Sequence, residues 1–444
     1  MQSRRDHLQA YQFATGRLAS ALVSGDPGTG EAPMRRSGLG AAFGVMVAAL
    51  LVVAAVVYGL IKPADTDSWA KAGALVVEKE TGTRYIYVNG RLHPTVNYSS
   101  ALLALGGTSG VQDVSRAGLA DVPRGTPIGI PGAPDDIAQP SALLTGAWTD
   151  CLHPGSGSGE VLDFDPGSAR PLPLDARVLV SGPDGTEYVL WQGIKYPVGG
   201  RTALIALGLD TEEPVKAPSA WLNALSTGTA IAHAVIPGAG TGSRTVAGSH
   251  AQTGQLFRTV VGDDIHYYIL KSDGMAPITA TEAALLAAAP GGHQPRQVSP
   301  ADVAAVQASA DHSLLHRIPD LLGGTDATTG GAALCLLQSV DGSRVRTSVV
   351  RETGRAATKG SAIVVPPEHA VLAIPPRKTS DSSTPDPYLI TDQGVKYQLI
   401  GQAAESLGYG GTTPRVLPQS TLDQITSGPR LSRDQAAQAV PGTN

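Results

Sequence analysis

The sequence predicts an α+β protein. A single N-terminal transmembrane helix precedes a central β-rich domain, surrounded by four small α+β repeat modules with pseudo-two-fold symmetry. Three observations carry this. Residues Leu39 to Ile61 form an uninterrupted apolar run. A tyrosine-bearing strand-turn-strand pattern recurs four times after it. Two intervening segments, each holding one cysteine, divide the repeats into two halves.

The run Leu39–Ile61 holds 23 residues without a charge, and Arg35 and Arg36 stand directly before it. At about 1.5 Å per residue such a helix measures roughly 34 Å, enough to cross a bilayer core. The tail before it carries Arg4, Arg5, Arg17, Arg35 and Arg36 against Asp6, Asp26 and Glu31. On the far side Lys62 and Lys71 are offset by Asp65 and Asp67. The positive-inside rule then puts residues 1–38 in the cytoplasm and the rest on the extracytoplasmic side, as a single-pass membrane protein. A cleaved signal peptide has a shorter apolar core followed by small residues. Here the run is of full span length and ends at Lys62-Pro63, which favours an uncleaved anchor.

Two cysteines, Cys151 and Cys335, fall in the exported part, where thiols tend to oxidise. One bridge is possible, against the alternative of two buried thiols. It closes a loop of roughly 185 residues, which the chain-entropy model values at about 5 kcal/mol. The net charge of −5 gives no basic surface for nucleic acid. Arg outnumbers Lys 24 to 9 and Ala, Gly and Pro abound, a bias common in high-GC genomes. With aromatics at 5%, the core relies on Val, Leu, Ile and Ala, in many short elements.

The four copies of the hairpin start at Thr83, Thr186, His266 and Val395, and run to Gly90, Gly193, Gly274 and Gly401. β-branched and aromatic residues bounded by Asn-Gly, Gln-Gly or Asp-Gly are hairpin chemistry. Pro94, Pro197 and Pro277 close the first three; the fourth lacks that proline. Short helices are expected over Tyr98–Leu105, Arg201–Leu209, Thr279–Ala288 and Gln402–Leu407, with Thr279 and Glu282 forming a capping box. A second helical turn follows each, over Val114–Val122, Ala217–Leu225, Val298–Val306 and Leu417–Ile425. Apolar residues fall at its first, sixth and ninth places, the last two sharing one face. Two patterns in the same order four times make a repeat architecture.

The expected organisation is a cytoplasmic tail (1–38), the span (39–61), a linker (62–74) and module 1 (75–134). The first central segment (141–178) and module 2 (179–240) follow, then module 3 (258–322), the second central segment (332–376) and module 4 (388–440). The central segments contain strand-like runs such as Arg177–Val180 and Ala362–Val365. The modules are expected to pack against this shared hub, with the two cysteines clamping it. Thr379–Pro387 reads as an exposed loop, and the tail after Arg433 as a fraying end.

No catalytic pattern emerges, and neither a cofactor nor a metal site is expected. The nearest approach to a phosphate-binding loop is Gly354–Ser361, where Lys359 precedes Gly360, the wrong order. His312 and His316 are four apart, on one helix face if helical, but Ser313 stands where a zinc peptidase needs Glu. Gly155–Gly159 has the wrong phase for a nucleophile elbow and reads as a loop. Asp135-Asp136 and Asp263-Asp264 read as solvated turn pairs.

The tail carries its own signature. It reads Ser3-Arg-Arg-Asp-His-Leu-Gln-Ala-Tyr-Gln-Phe13, then Arg17, Ala21-Leu-Val23, Asp26-Pro27 and Pro33-Met-Arg-Arg36. This closely resembles the EccB family, a membrane subunit of the type VII (ESX) secretion machinery of actinobacteria. The resemblance extends over the whole chain, through the single span, the tyrosine-bearing repeats and the two exported cysteines. Family tails often carry more basic residues near Thr15 and Gly16. The resemblance implies a structural subunit of an inner-membrane secretion complex, itself in an oligomer. The implied partners are a motor subunit, a multi-span subunit, a further membrane subunit and a membrane-anchored subtilisin-like protease. ATP hydrolysis is attributed to the family, yet these residues supply no known ATP site.

Read from its residues, the tail places Leu8, Tyr11, Leu18 and Leu22 near helical spacing, with arginines on other faces. That suits an amphipathic helix lying on lipid or a partner; a disordered arm is the alternative. The expected contact residues are Arg4, Arg5, Leu8, Tyr11, Phe13, Arg17, Leu22, Arg35 and Arg36. Two other functions fit an anchored repeat protein: a module gripping cell-wall peptidoglycan, and an anchored ATPase or other hydrolase.

Overall fold

The computed structural model describes residues 4–25, 34–61, 69–107, 110–152, 159–327, 331–342, 344–353, 362–377 and 384–440. Helix α1 (Arg4–Ser24) and helix α2 (Met34–Ile61) come first. Helix α2 begins five residues before the expected span, because backbone hydrogen bonding continues where hydrophobicity stops. Its stretch Gly38–Tyr58 is the part apolar enough to cross a membrane. Most of the linker lies outside the described residues, but its end does not behave as one. Trp69 is buried and packs edge-on against Tyr87, with ring centroids 5.5 Å apart.

Four small sheets follow that share a four-strand connectivity, to which the second and fourth add short parallel strands. Three antiparallel strands form a meander, and a short fourth strand lies parallel to the first. The first sheet joins Ala74–Glu78, Arg84–Val88 and Arg91–Pro94, with Val111–Val114 alongside. Its second turn is Asn89-Gly90, with φ of 52° and 75°; Gln192-Gly193 in the second sheet has 48° and 78°. Two positive φ values are what a tight hairpin turn demands, and glycine supplies one without strain. Helix α3 (Tyr98–Leu105) covers the first sheet, capped by the Asn97 side chain on the Ser100 amide.

The second sheet uses Ala176–Ser181, Glu187–Trp191, Ile194–Pro197 and Val215–Lys216, with α4 (Arg201–Leu207) and α5 (Ser219–Asn223). The third uses Leu256–Val261, Asp264–Leu270, Met275–Ile278 and Arg296–Gln297, with α6 (Ala280–Ala288), α7 (Pro300–Ala304) and α8 (Ser313–His316). The fourth uses Ala370–Ile374, Tyr388–Thr391, Val395–Gln398 and Arg415–Val416. Its helices are α9 (Ala403–Ser406), α10 (Gln419–Gln424) and α11 (Arg433–Ala436).

Several expectations change. Arg177–Val180 and Ala370–Ile374 pair with Glu187–Trp191 and Tyr388–Thr391, so they start the second and fourth small sheets and do not belong to the centre. The third sheet likewise starts at Leu256, ahead of the expected 258. Counting from the tyrosine-bearing strand hid the strand before it. In the fourth sheet Tyr388–Thr391 is the second strand and Val395–Gln398 the third, so Tyr397 matches Tyr196 and His93. Three close approaches fix this register: a Cβ on Gly125, Gly228 or Gly428 would stand 2.3 Å from the ring of His93, Tyr196 or Tyr397. Thr279 caps α6, but Glu282 does not reciprocate, because its carboxylate pairs with Arg317. The full capping box is Ser299 with Asp302. The turn over Val114–Val122 is a single 3-10 turn.

The chain end after Arg433 does not fray in its described part. Ala436 is fully buried, and the backbone pairs with the first sheet's trailing segment, Val440 N donating to Pro127 O and Gly129 N to Gln438 O. Backbone pairing needs no apolar side chains, so hydropathy missed it. The expected loop at 379–387 falls largely outside the described residues.

A six-stranded sheet forms the centre. Its order is Ala362–Val364, Glu160–Asp163, Trp148–Leu152, Ala333–Asp341, Arg344–Glu352, Arg170–Pro171. Each intervening segment supplies an antiparallel hairpin to the middle and sends its third strand to the other segment's edge. The inner four strands therefore exchange under a two-fold operation. The edges depart from it, one pairing being parallel and the other antiparallel. Among the described residues, the second and fourth units place helices on this sheet. The first packs on the fourth through Leu102, Leu103, Leu399 and Leu407; the third packs on the second through Leu285, Ile318, Leu204 and Leu207. The expectation of four modules on one hub becomes two pairs, each docked through one member.

Candidate functional site

The membrane-proximal residues come first. Leu8, Tyr11, Phe13, Leu18 and Leu22 of α1 are all exposed, Leu22 at 83%. Arg4, Arg5 and Arg17 share this helix, and Arg17 lies 5.9 Å from the Phe13 ring centroid. Leu8, Tyr11, Leu18 and Leu22 follow a three-and-four spacing, one stripe of a helix. Arg35 and Arg36 lie in the first turn of α2. The apolar residues of α2 from Leu39 to Tyr58 are exposed along the helix, as a lipid-facing segment requires.

The central sheet has two chemically distinct faces, because side chains alternate along each strand. One face carries Cys151 and Cys335, directly opposite each other and joined as a disulfide. Both are fully buried with Val161, Ala333 and Val350. Glu352 shares this face at 2% exposure. Thr149 Oγ1 donates to its Oε2 at 2.8 Å, and Oε2 lies 3.4 Å from Cys151 Sγ. Burial raises the Glu352 pKa, partly opposed by the Thr149 hydrogen bond. Among the described residues these three side chains are the one cluster with metal-ligand spacing. Their sulfurs are bonded to each other, which removes the thiolates a metal would need.

The opposite face carries helices α5 and α10 side by side. Trp221, Leu222 and Leu225 pack on Leu152, Leu334 and Leu336; Leu417, Leu422 and Ile425 pack with Trp148, Leu162 and Phe164. Asp150 lies between them. The Trp221 indole donates to the Asp150 carbonyl at 3.0 Å, and the Gln424 amide donates to its Oδ2 at 3.1 Å. Asp150 Oδ1 and Glu160 Oε1 are buried without a hydrogen-bond partner. Burial pushes Asp150 up to about 6. Burial, and then the nearby Asp150, push Glu160 up to about 7.

Lysine ammonium groups close both helices. Lys195 Nζ donates to Leu222 O at 2.5 Å, and Lys396 Nζ to Leu422 O. The Arg415 guanidinium lies 4.6 Å from the Trp148 ring centroid and donates to the carbonyls of Leu144 and Gly146. Its burial lowers its pKa to about 10. None of these buried polar residues was anticipated. The recoverable signals were a lone Asp in the largely apolar stretch Trp148–Leu152, and lysines 27 and 26 residues before Leu222 and Leu422.

The remaining sequence candidates separate. His312 precedes α8 and meets Ser309 O, so it does not share a helix face with His316. Asp135 accepts from Arg84 and from the Tyr98 amide, a structural contact. Asp263 and Asp264 sit at a hairpin tip. Gly354–Ser361 and residues 155–158 lie outside the described residues. A cavity of about 620 Å³ is lined by Leu152, Glu160, Ser181, Gly182, Pro183 and Lys216, with one acid and one base among its lining side chains.

Comparison with known proteins gives one consistent result. The family model described as "Type VII secretion system ESX-1, transport TM domain B" matches residues 1–443. The chain is 27% identical to the ESX-3 secretion system ATPase EccB3 of Mycolicibacterium smegmatis, over 97% of this chain and 90% of that protein. It is 28% identical to the ESX-1 secretion system ATPase EccB1 of Mycobacterium tuberculosis, over 97% and 93%. A chain of the intact ESX-5 inner membrane complex superposes with a TM-score of 0.60 at 23% identity, covering 100% of this chain and 97% of that one. A chain of the EccB3 dimer from the ESX-3 core complex gives 0.58 at 26% identity, covering 82% and 100%.

Proposed function

The chain belongs to the EccB family of type VII (ESX) secretion membrane subunits, and from that premise we propose that it works as a structural part, joining contacts on one side of the inner membrane to an assembly on the other. Helix α2 is the anchor. The excess of arginine before it supports a cytoplasmic N-terminus and a periplasmic body. The disulfide supports the same orientation, since such bonds persist outside the cytosol.

The observation that carries this reading is the central sheet. Strands from two distant segments interleave, Cys151 bonds to Cys335 across them, and one helix from each unit pair docks on the same face. Such a body holds its surfaces at fixed distances. In our reading the four sheet-and-helix units are repeat modules of that body, with boundaries moved to take in their first strands. The arm α1, with Arg4, Arg5, Leu8, Tyr11, Phe13, Arg17 and Leu22, contacts the other membrane subunits or lipid at the cytosolic surface, with Arg35 and Arg36 at the membrane edge. The periplasmic body contacts its own copies and the membrane-anchored subtilisin-like protease.

Several relatives carry ATPase in their names. A catalytic role for this chain would rest on a nucleotide site, and its sequence offers the phosphate-loop residues only in the wrong order. ATP turnover by the purified chain that a single substitution abolishes would displace the structural reading. Co-purification of the secretion complex with the chain, lost on removal of residues 1–34, would support it.

A further inference from the structure

The two halves of the central sheet differ in charge. Asp150 pairs with Leu336 and Leu152 with Leu334, so the two-fold operation puts Leu334 in the place of Asp150. Glu160 faces Leu152, while Val349 faces Leu336, so Val349 takes the place of Glu160. Lys216 stands directly before Ala217-Pro218 and helix α5, where the other half has Val416 before Leu417-Pro418 and α10. The same frame is thus built once with three apolar residues and once with two acids and a lysine. The fold itself does not require these charges.

The charges gather at one cavity. The space of about 620 Å³ opens where the end of the central sheet meets the second small sheet. Its volume is that of a small-molecule site, roughly 300–1,000 Å³. Leu152, Pro183, Ala217 and Pro218 supply apolar wall, and Glu160 and Lys216 line it as well. The site is drawn from described residues; 153–158, which join Leu152 to Gly159, lie outside them.

Glu160 and Asp150 project from the same face of neighbouring strands as diagonal neighbours. Glu160 is half-buried at the cavity, and Asp150 lies deeper at 5% exposure. Each has one buried carboxyl oxygen without a hydrogen-bond partner, and neither has an ion-pair partner among the described residues. Buried polar oxygens of this kind call for a donor, and a carboxylate calls for a cation. Lys216 is exposed and pairs through its backbone with Ser181 on the neighbouring strand. The cavity therefore runs from acidic at its inner end to basic at its solvent side, with apolar wall between.

We infer that this cavity binds a small ligand with an apolar body, a primary ammonium group at its inner end and an acidic group at its outer end. Glu160 receives the ammonium and Lys216 the acid. An ammonium brings three donors and a positive charge to carboxyl oxygens that lack both. A ligand neutral at that end leaves the buried acid uncompensated, so the amine sets the specificity. The inference stands on the cavity alone and does not rest on the secretion reading.

The test uses the full-length chain in mild detergent and 6-aminohexanoate as the probe. This molecule carries both charges on a short methylene chain and stays in water rather than in the micelle. Calorimetric titration is expected to show saturable binding with a Kd on the order of 1 mM or tighter. Glu160→Gln, nearly unchanged in shape, is expected to weaken it by at least about tenfold, and Lys216→Ser by about threefold, with unchanged circular dichroism spectra. Hexanoate, which lacks the ammonium, is expected to bind at least about tenfold more weakly than the probe. No saturation up to roughly 20 mM, equal affinity in Glu160→Gln, or equal binding of hexanoate would each overturn the inference. Should Glu160→Gln fail to fold, Lys216→Ser and the hexanoate comparison decide: unchanged affinity in the one or equal binding of the other overturns it.

Discussion

Cys151 stands directly opposite Cys335 on neighbouring antiparallel strands, although 184 residues separate them in the chain. The bond therefore ties together the two halves of the sequence at the middle of the sheet they jointly build. A loop of that length is the case in which a cross-link restricts the unfolded chain most. Cys151→Ala with Cys335→Ala is expected to lower stability by up to about 5 kcal/mol, seen as a lower thermal midpoint in detergent. An unchanged midpoint would mean that the strand ladder alone holds the halves.

Asp150 and Glu160 give the body a pH dependence. Both have folded pKa values above their ordinary ones, at about 6 and about 7. The folded state thus holds more protons than the unfolded chain between roughly pH 4 and 7, and stability falls as pH rises through that window. The protein is expected to melt higher at pH 5 than at pH 8. Asp150→Asn should flatten that difference and gain on the order of 2 kcal/mol at pH 8. Carboxylates held low, such as Asp273 and Asp302, act oppositely but only as pH falls below the ordinary carboxylate range. A slope of the same size in Asp150→Asn would remove this residue as its source.

Gly228 and Gly428 are expected to resist substitution. Each lies under a tyrosine ring, Tyr196 or Tyr397, with the missing Cβ at 2.3 Å. Both amides donate to the preceding strand, to Lys195 O and Lys396 O at 2.8 Å, so the backbone has little room to shift. Alanine at either position should cost roughly 1–3 kcal/mol in chemical denaturation. Gly185 separates the two effects: nothing lies within 4 Å of its missing Cβ, but its φ is +79°, so alanine there meets backbone strain without the clash expected at Gly228 and Gly428.

Much of the fold was legible because its signals are local. Asn89-Gly90 and Gln192-Gly193 mark hairpins wherever they occur, and the apolar spacing of Trp221, Leu222 and Leu225 marks a helix face. What the sequence concealed depends on partners far along the chain. Ala370–Ile374 reads as a generic buried strand, and only its pairing with Tyr388–Thr391 assigns it to the fourth sheet. The C-terminal segment looked unstructured because it is held by backbone bonds to Pro127 and Gly129. Asp150 showed no motif, since its role depends on Trp221 and Gln424 arriving from two different units. The pairing of units was hidden for the same reason, while the tail and the apolar run that point to the family are contiguous.

The central claim is that the arm before the membrane and the body beyond it hold one complex together. It is tested most directly by purifying the secretion complex in mild detergent from cells carrying either the full chain or a chain lacking residues 1–34. The full chain should bring down the other membrane subunits. The shortened chain should reach the membrane with a folded, disulfide-bonded body but without those subunits. Recovery of the intact complex with the shortened chain would contradict the account.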